Sequence, residues 1–408
     1  MRCRGCGSHF LTPFIDLGSA PLSNGYLTAR ALKAPEIWLP LKVSVCTSCW
    51  LAQTEDYVAS KDVFTSDYAY LSSVSRSWLM HVEAFVHESV TRFGLDESSM
   101  VIEVAANDGY LLQYVQQRGI QALGIEPTAS TAARARSLGL SIVEEFLGAN
   151  TGTAIAEQYG KADLLIANNV LAHVPDVNDF LAGVVQLLKE DGVFSVEFPP
   201  VTSLIDGGQF DTIYHEHYSY LSLHSVSNMF ANHGIEVFDV TEIETHGGSL
   251  RVFGQMRGSG KNAIQASVGR ILDSERKRGL RDVTYYKSLQ ERAVGSKTEL
   301  LHFLLSCKEQ GKLVVGYGAA AKANTLLNFA GVRKDLLPFV VDRSEFKIGR
   351  YMPGSRIPIL HEDEIKRTHP AYVLIFPWNI QNEIIDQLRY IREWDGRFVT
   401  AVPTLTQF

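Results

Sequence analysis

Val101-Ile102-Glu103-Val104-Ala105-Ala106-Asn107-Asp108-Gly109-Tyr110-Leu111-Leu112 reads as a buried strand, a tight turn and the opening of a helix. In an open α/β sheet that first turn lies beyond the carboxyl end of a strand, where ligands bind. Apolar runs recur on both sides of amphipathic stretches: Ala122 to Ile125, Leu164 to Ala167, Val193 to Glu197, Val237 to Val240 and Leu250 to Phe253. Strands alternating with helices predict a mostly parallel, doubly wound sheet from Met100 to about Gln255, its last two strands forming an antiparallel edge. A helical pattern from about Trp78 to Phe93 precedes it.

Gly124-Ile125-Glu126-Pro127 ends the next strand in a carboxylate placed to accept hydrogen bonds from a ribose diol. NAD sites and S-adenosylmethionine sites share that spacing. The turn lacks G-x-G-x-x-G, with Ala105 and Ala106 where a backbone approaching a pyrophosphate wants glycine, and this disfavours a dinucleotide. Glu103 followed by Asn107-Asp108-Gly109 instead resembles the first motif of class I methyltransferases, whose cationic donor needs polar and acidic groups. Asn168-Asn169 ends a further strand and leads through His173 to Pro175, where such enzymes present polar groups near the methyl donor.

The densest chemistry is Phe210-Asp211-Thr212-Ile213-Tyr214-His215-Glu216-His217-Tyr218-Ser219-Tyr220. Two imidazoles, a carboxylate and phenols there can assemble a general base with orienting partners. A metal site is the competing functional reading. In an extended segment His215 and His217 share a side and Glu216 faces away, so only the two histidines would converge.

Cys3-x-x-Cys6 and Cys46-x-x-Cys49 supply four thiolates, the ligand set of a closed structural zinc site with no position left for substrate. Disulfides are disfavoured: Cys307 is the one other cysteine, no segment resembles a signal peptide, and an enzyme-sized chain needs no disulfide framework. The loop between the knuckles, through Pro13, Pro21, Asn24-Gly25 and Pro35, should fold as a lobe of its own.

The 408 residues suffice for two or three domains, and a net charge of −7 without a basic run disfavours a protein that neutralises a nucleic-acid backbone. No apolar stretch approaches the roughly 20 residues needed to span a bilayer, so no membrane partner is expected. Reduced thiols make the cytoplasm the default location. Residues 263–310 read as an exposed connecting helix system. At Lys312 the α/β pattern restarts: Gly316-Tyr317-Gly318-Ala319-Ala320-Ala321-Lys322-Ala323-Asn324 sets backbone amides and a lysine at a helix start, an anion site or a dinucleotide site in its own right. His246-Gly247-Gly248 adds a turn where backbone can approach a ligand.

Taken together, the cysteine knuckles, Tyr68-Ala-Tyr70-Leu-Ser-Ser73, Glu103 to Leu112, Asn168 to Pro175, Tyr214 to His217, His246-Gly-Gly, Gly316 to Lys322 and Tyr351-x-Pro353-Gly354-x-x-Ile357-Pro358 resemble the S-adenosylmethionine-dependent sugar C-methyltransferases acting on nucleotide-linked 4-keto-6-deoxysugars. The resemblance covers nearly the whole chain. It implies a zinc-binding N-terminal lobe (1–75), a central class I, Rossmann-like methyltransferase domain (76–255) and a C-terminal second Rossmann-like α/β domain contributing to nucleotide-sugar binding (256–408). It further implies His217 as base, Glu216 as its orienting or polarising partner, Tyr214 as enolate stabiliser or sugar guide, and His173 and Tyr70 in the same pocket. The donor falls to Glu103, Asn107, Asp108, Gly109, Glu126, Pro127, Asn168 and Asn169. The substrate falls to Tyr68, His246, Gly247, Tyr317, Lys322 and Asn324, and zinc to Cys3, Cys6, Cys46 and Cys49. The expected reaction is C-3' methylation of a dTDP- or GDP-linked sugar by a monomer. C-5' methylation and a zinc-containing nucleic-acid methyltransferase are the alternatives. One departure is Val104-Ala105-Ala106, where family members commonly keep glycine.

Overall fold

The computed structural model describes residues 1–57, 71–244 and 247–408. Tyr68, Tyr70 and His246 therefore lie outside the described residues.

Strands β1 (Leu11–Ala20), β2 (Leu39–Cys46) and β3 (Ala52–Thr54) form an antiparallel sheet that carries the cysteine knuckles at one end. Both knuckles use the same turn: the Gly7 amide donates to the Cys3 carbonyl and the Trp50 amide to the Cys46 carbonyl, each at 2.8 Å. Both donors have positive φ, which glycine accepts freely and Trp50 adopts under constraint.

The central unit opens with the helix Arg76–Phe93, capped by the Ser75 side chain and ended by Gly94 in the left-handed conformation. Then come β4 (Met100–Val104), β5 (Gln121–Ile125), β6 (Ser141–Val143), β7 (Ala162–Asn168) and β8 (Leu188–Phe198). Next, the two-residue β9 (Ser219–Tyr220) leaves this unit and pairs with β3. β10 (Ile235–Ile243) and β11 (Ser249–Met256) complete a sheet ordered β10-β11-β8-β7-β4-β5-β6. β11 runs antiparallel to both of its neighbours, so the expected antiparallel ending is present with β10 at the edge. Strand order reverses at β4, which puts the turn after Val104 at the switch point. β6 escapes the sequence reading because its three residues are too short to show a period.

Residues 263–310 are not the exposed connector expected. The helix Val283–Glu309 buries Tyr286, Leu289, Ala293, Leu300 and Leu304 in a core shared with Phe14 of β1, Ile205, Phe210, Ile213 and the third sheet. Its charged residues cover the outer face, and they dominate the sequence impression.

The third sheet is ordered β14-β13-β12-β15-β16-β17. Its strands are β12 (Val314–Tyr317), β13 (Val340–Asp342), β14 (Ile359–His361), β15 (Tyr372–Ile375), β16 (Arg397–Thr400) and β17 (Thr406–Gln407), with β17 alone antiparallel. The helix Ala321–Ala330 follows β12.

Candidate active site

The turn after β4 places Ala105, Asn107 and Gly109 all at positive φ. A β-carbon on Gly109 would lie 2.5 Å from Leu140, so this position has neither the conformational nor the steric room for a side chain. Ala105 holds, at about 1–2 kcal/mol of backbone cost, a left-handed conformation that favours glycine. The departure read from the sequence thus places a strained alanine where the backbone would suit glycine.

Glu126 fixes the turn from the neighbouring strand, accepting from the Asn107 and Thr128 amides at 2.9 Å each. Asn107 Oδ1 accepts from the Ser72 amide at 3.0 Å, and Asp108 Oδ2 from the Ser73 hydroxyl at 2.5 Å. Glu103 is fully buried; burial and the neighbouring Glu126 and Asp108 push its pKa well above the usual carboxylate range, opposed by a hydrogen bond from Tyr110. Both polar atoms of buried Asn168, and Asp108 Oδ1, have no hydrogen-bond partner among the described residues. Orphaned buried polar atoms are costly in an apolar interior. Gathered at the carboxyl ends of β4 and β7, they fit the ammonium and sulfonium of S-adenosylmethionine. Asn169, also at positive φ, is tied by its amide to the Glu197 carbonyl at 2.7 Å, and Pro127 leads from Glu126 into the helix Ala129–Ser137.

His173 stands five residues beyond Asn168, in a single turn of 3-10 helix. Its ring meets His217 edge-on at 4.6 Å between centroids. Nδ1 of His173 lies 2.9 Å from the Glu216 carbonyl, and Nδ1 of His217 lies 2.9 Å from the Thr212 carbonyl. A carbonyl only accepts, so each Nδ1 carries the proton and each Nε2 is left basic. Burial pushes His173 down to about 4 and, with His173 and Lys322 adding to it, His217 well below the usual imidazole value. Tyr214 packs on His217 at 4.0 Å between ring centroids.

His215 and His217 do not share a side. The segment turns, with the His217 amide bonded to the Tyr214 carbonyl, and His215 Nε2 goes instead to the Pro40 carbonyl at 3.1 Å. Among the described residues the one metal-competent cluster is Cys3, Cys6, Cys46 and Cys49, with all four sulfurs within 4.8 Å of one another. Tetrahedral bonds of about 2.3 Å to zinc put sulfurs about 3.8 Å apart. The Cys3–Cys49 and Cys6–Cys46 separations of 3.5 and 3.7 Å fit it.

Glu216 is buried, and this pushes its carboxyl up to about 7, while the Asn24 amide donating to Oε2 opposes the rise. On the C-terminal side, Lys322 donates to Asn379 Oδ1 at 2.7 Å and lies 4.1 Å from the Trp378 ring centroid. Burial pushes it down to about 8. Asp211, pushed up to about 6 by burial, accepts from the Trp378 indole at 2.8 Å. Gly247 belongs here as well, since a β-carbon on it would lie 2.8 Å from Trp378. Asn324 bonds the Ser23 carbonyl, and its neighbour Thr325 bonds the Ile213 carbonyl at 2.7 Å, so the helix Ala321–Ala330 anchors the base segment.

Tyr317 is not brought to this cluster. It faces the other side of its sheet, with its hydroxyl between Glu362 and Gln387 at 3.0 Å each. The turn after β12 is no open dinucleotide cradle either: Asp342 takes the Ala319 amide, while Lys347 and the Tyr26 hydroxyl both take the Ala319 carbonyl.

Asn24, Asp211, Trp378 and Asn379 are participants that the sequence reading did not select as site residues. Asn24 signalled only a turn, and a lone tryptophan far along the chain carries no pattern at all.

The sheet order, the donor turn and the closed four-sulfur centre define a class I S-adenosylmethionine-dependent methyltransferase with a structural zinc lobe. Residues 3–64 match a zinc binding domain family, 78–240 a methyltransferase domain and 244–403 a C-methyltransferase C-terminal domain. The C-methyltransferase NovU of Streptomyces niveus is 34% identical over 401 residues, 98% of this chain and 95% of that protein. The chain belongs to this C-methyltransferase family. Among solved structures, the magnesium protoporphyrin IX methyltransferase of Synechocystis PCC 6803 with bound SAM is 13% identical, covers 50% of this chain and 100% of its own, and has a TM-score of 0.38. An S-adenosylmethionine-dependent methyltransferase of Clostridium acetobutylicum is 12% identical, with 44% and 92% covered and a TM-score of 0.36. Likenesses this distant bear no weight on substrate. No helix among the described residues is long and apolar enough to cross a membrane.

Proposed function

We propose that this enzyme methylates C-3' of a nucleotide-linked 4-keto-6-deoxysugar through an enolate. Carbon–carbon bond formation needs a carbon nucleophile, and a ketone at C-4' makes the neighbouring proton removable because the charge spreads onto oxygen. The observation that carries the reading is the buried, neutral imidazole of His217, its Nδ1 proton committed to the Thr212 carbonyl and its Nε2 available. His217 takes the C-3' proton through Nε2. Ionised Glu216 favours the imidazolium that forms, and Tyr214 guides the sugar or stabilises the enolate. Lys322 supplies positive charge from the C-terminal side. Bound S-adenosylmethionine supplies an electrophilic methyl, and Glu103, Asp108 and Asn168 hold its cationic end. Asn107, Gly109, Glu126, Pro127 and Asn169 shape the rest of the donor cradle, Gly247 and Asn324 border the sugar, and Tyr68, Tyr70 and His246 complete the pocket as the resemblance implies. The C-terminal domain contributes to holding the nucleotide, dTDP or GDP, in a monomeric, cytoplasmic enzyme.

Incubation with S-adenosylmethionine and a dTDP-linked 4-keto-6-deoxysugar tests this. A product heavier by one methylene unit, with the new methyl on C-3' by NMR, is expected. A methyl on oxygen, nitrogen or C-5' overturns the proposal.

A further inference from the structure

Arg4 sits inside the first cysteine knuckle, yet its side chain faces the catalytic histidines' supports and is only 7% exposed. Nη1 donates to the Pro175 carbonyl at 2.8 Å, two residues beyond His173. Nη2 donates to the Thr54 carbonyl at 2.8 Å and to Asp56 at 2.7 Å. The guanidinium carbon lies 5.3 Å from the ring centroid of Tyr218, the residue after His217. The main chain of Arg4 is held too, by Gln53 Oε1 on its amide at 2.9 Å and by Asn178 on its carbonyl at 2.7 Å. Thr54 passes the contact on: its amide bonds the Tyr218 carbonyl and its hydroxyl the His217 carbonyl, both at 3.1 Å. The two histidine segments also touch directly, through the Tyr218 amide and the Ala172 carbonyl at 2.8 Å.

We infer that Arg4 is a positioning residue for methyl transfer, a bridge from the metal knuckle that sets the spacing of His173 and His217. The inference rests on the reading of His217 as base. Only a planar guanidinium can donate in two directions while covering an aromatic face. Lysine keeps the charge and the packing but cannot span both carbonyls. The knuckle fixes the backbone from which this bridge starts, and so gives the lobe a part in the chemistry without placing metal near substrate. Displacing a base by about 1 Å costs on the order of 10²-fold in rate.

The test uses the full, zinc-loaded chain labelled with ¹⁵N-histidine, as wild type, Arg4→Ala, Arg4→Lys, His173→Asn and His217→Asn. Ring signals of His173 and His217, assigned by their loss in the respective asparagine variants, are read alongside transfer to dTDP-4-keto-6-deoxyglucose. Expected for Arg4→Ala at wild-type zinc content are displaced signals for both rings, faster exchange of their Nδ1 protons, and kcat lowered by about 10²-fold with KM for S-adenosylmethionine unchanged. Arg4→Lys recovers part of the rate. If Arg4→Ala does not load zinc, Arg4→Lys carries the test with the same displaced signals expected. Wild-type ring signals in a folded Arg4 variant overturn the inference, including the case where only melting temperature or zinc content falls. Wild-type turnover in His217→Asn defeats the base assignment instead, and leaves the ring signals to report on Arg4 by themselves.

Discussion

Asn24 of the zinc lobe donates its side-chain amide to Oε2 of Glu216, 192 residues away in sequence, at 2.5 Å. A hydrogen bond to the ionised form favours it, so this amide holds down a carboxyl that burial lifts to about 7. If ionised Glu216 assists His217, kcat/KM falls as pH drops through about 7. Asn24→Ala removes the opposing contact and moves that acid limb to higher pH. Glu216→Gln abolishes it, leaving a lower maximum and a limb set by His217, below the ordinary imidazole value. A limb unmoved in both variants refutes this.

Under the proposed reading, Lys322 sets the basic side. Burial lowers its pKa to about 8, so its charge is present below that pH and lost above it. Rate should therefore decline as pH rises through about 8. Lys322→Arg keeps the charge at all these pH values, and any activity it retains should lack the alkaline decline. A decline at the same pH in Lys322→Arg assigns it elsewhere.

Replacing the proposed base is the most direct change at the site. His217→Asn should lower kcat by about 10² to 10⁴-fold. It should also abolish exchange of the C-3' proton with D₂O in the absence of S-adenosylmethionine, read by NMR of the sugar. The melting temperature should stay close to wild type, because asparagine keeps a donor for the Thr212 carbonyl. Undiminished exchange in a folded variant rejects the assignment.

Zinc removal should act on the base segment before the central sheet. A thiophilic chelator, or Cys46→Ser, is expected to free the pairing of Ala52 with Tyr220 and of Gln53 with Ser219. Hydrogen exchange of the Thr54 and Tyr218 amides should accelerate while amides of β4 and β7 stay protected, and S-adenosylmethionine should still bind by calorimetry. Loss of donor binding together with the amides contradicts the separation.

What the sequence made legible follows a pattern. The strand and turn from Val101 to Gly109 are continuous, and their period and turn chemistry are local properties. The same holds for Cys3-x-x-Cys6 and for Tyr214 to His217. Arg4, Asn24 and Trp378 were illegible as site residues because their partners are supplied by tertiary packing: Pro175, Glu216 and Asp211 lie 171, 192 and 167 residues away. His215 shows the converse error. A two-residue repeat implies one side of an extended segment, whereas the turn closed by the His217 amide sends the two rings apart. Tyr317 was grouped with Lys322 by proximity in sequence, whereas a strand residue and a helix residue beyond the turn face different sides of the sheet.

The short pairing of β9 with β3 and the Thr325 bond to Ile213 have a consequence for the nascent chain. Closing contacts of such long sequence separation is entropically slow. The segment from Tyr214 to Tyr220 has one support behind it, synthesised early, and another more than a hundred residues ahead, not yet synthesised when the segment emerges. His217 thus acquires its full setting only after the helix Ala321–Ala330 has been released and docked. An excised middle portion, however well folded around the donor, lacks the supports that set His217.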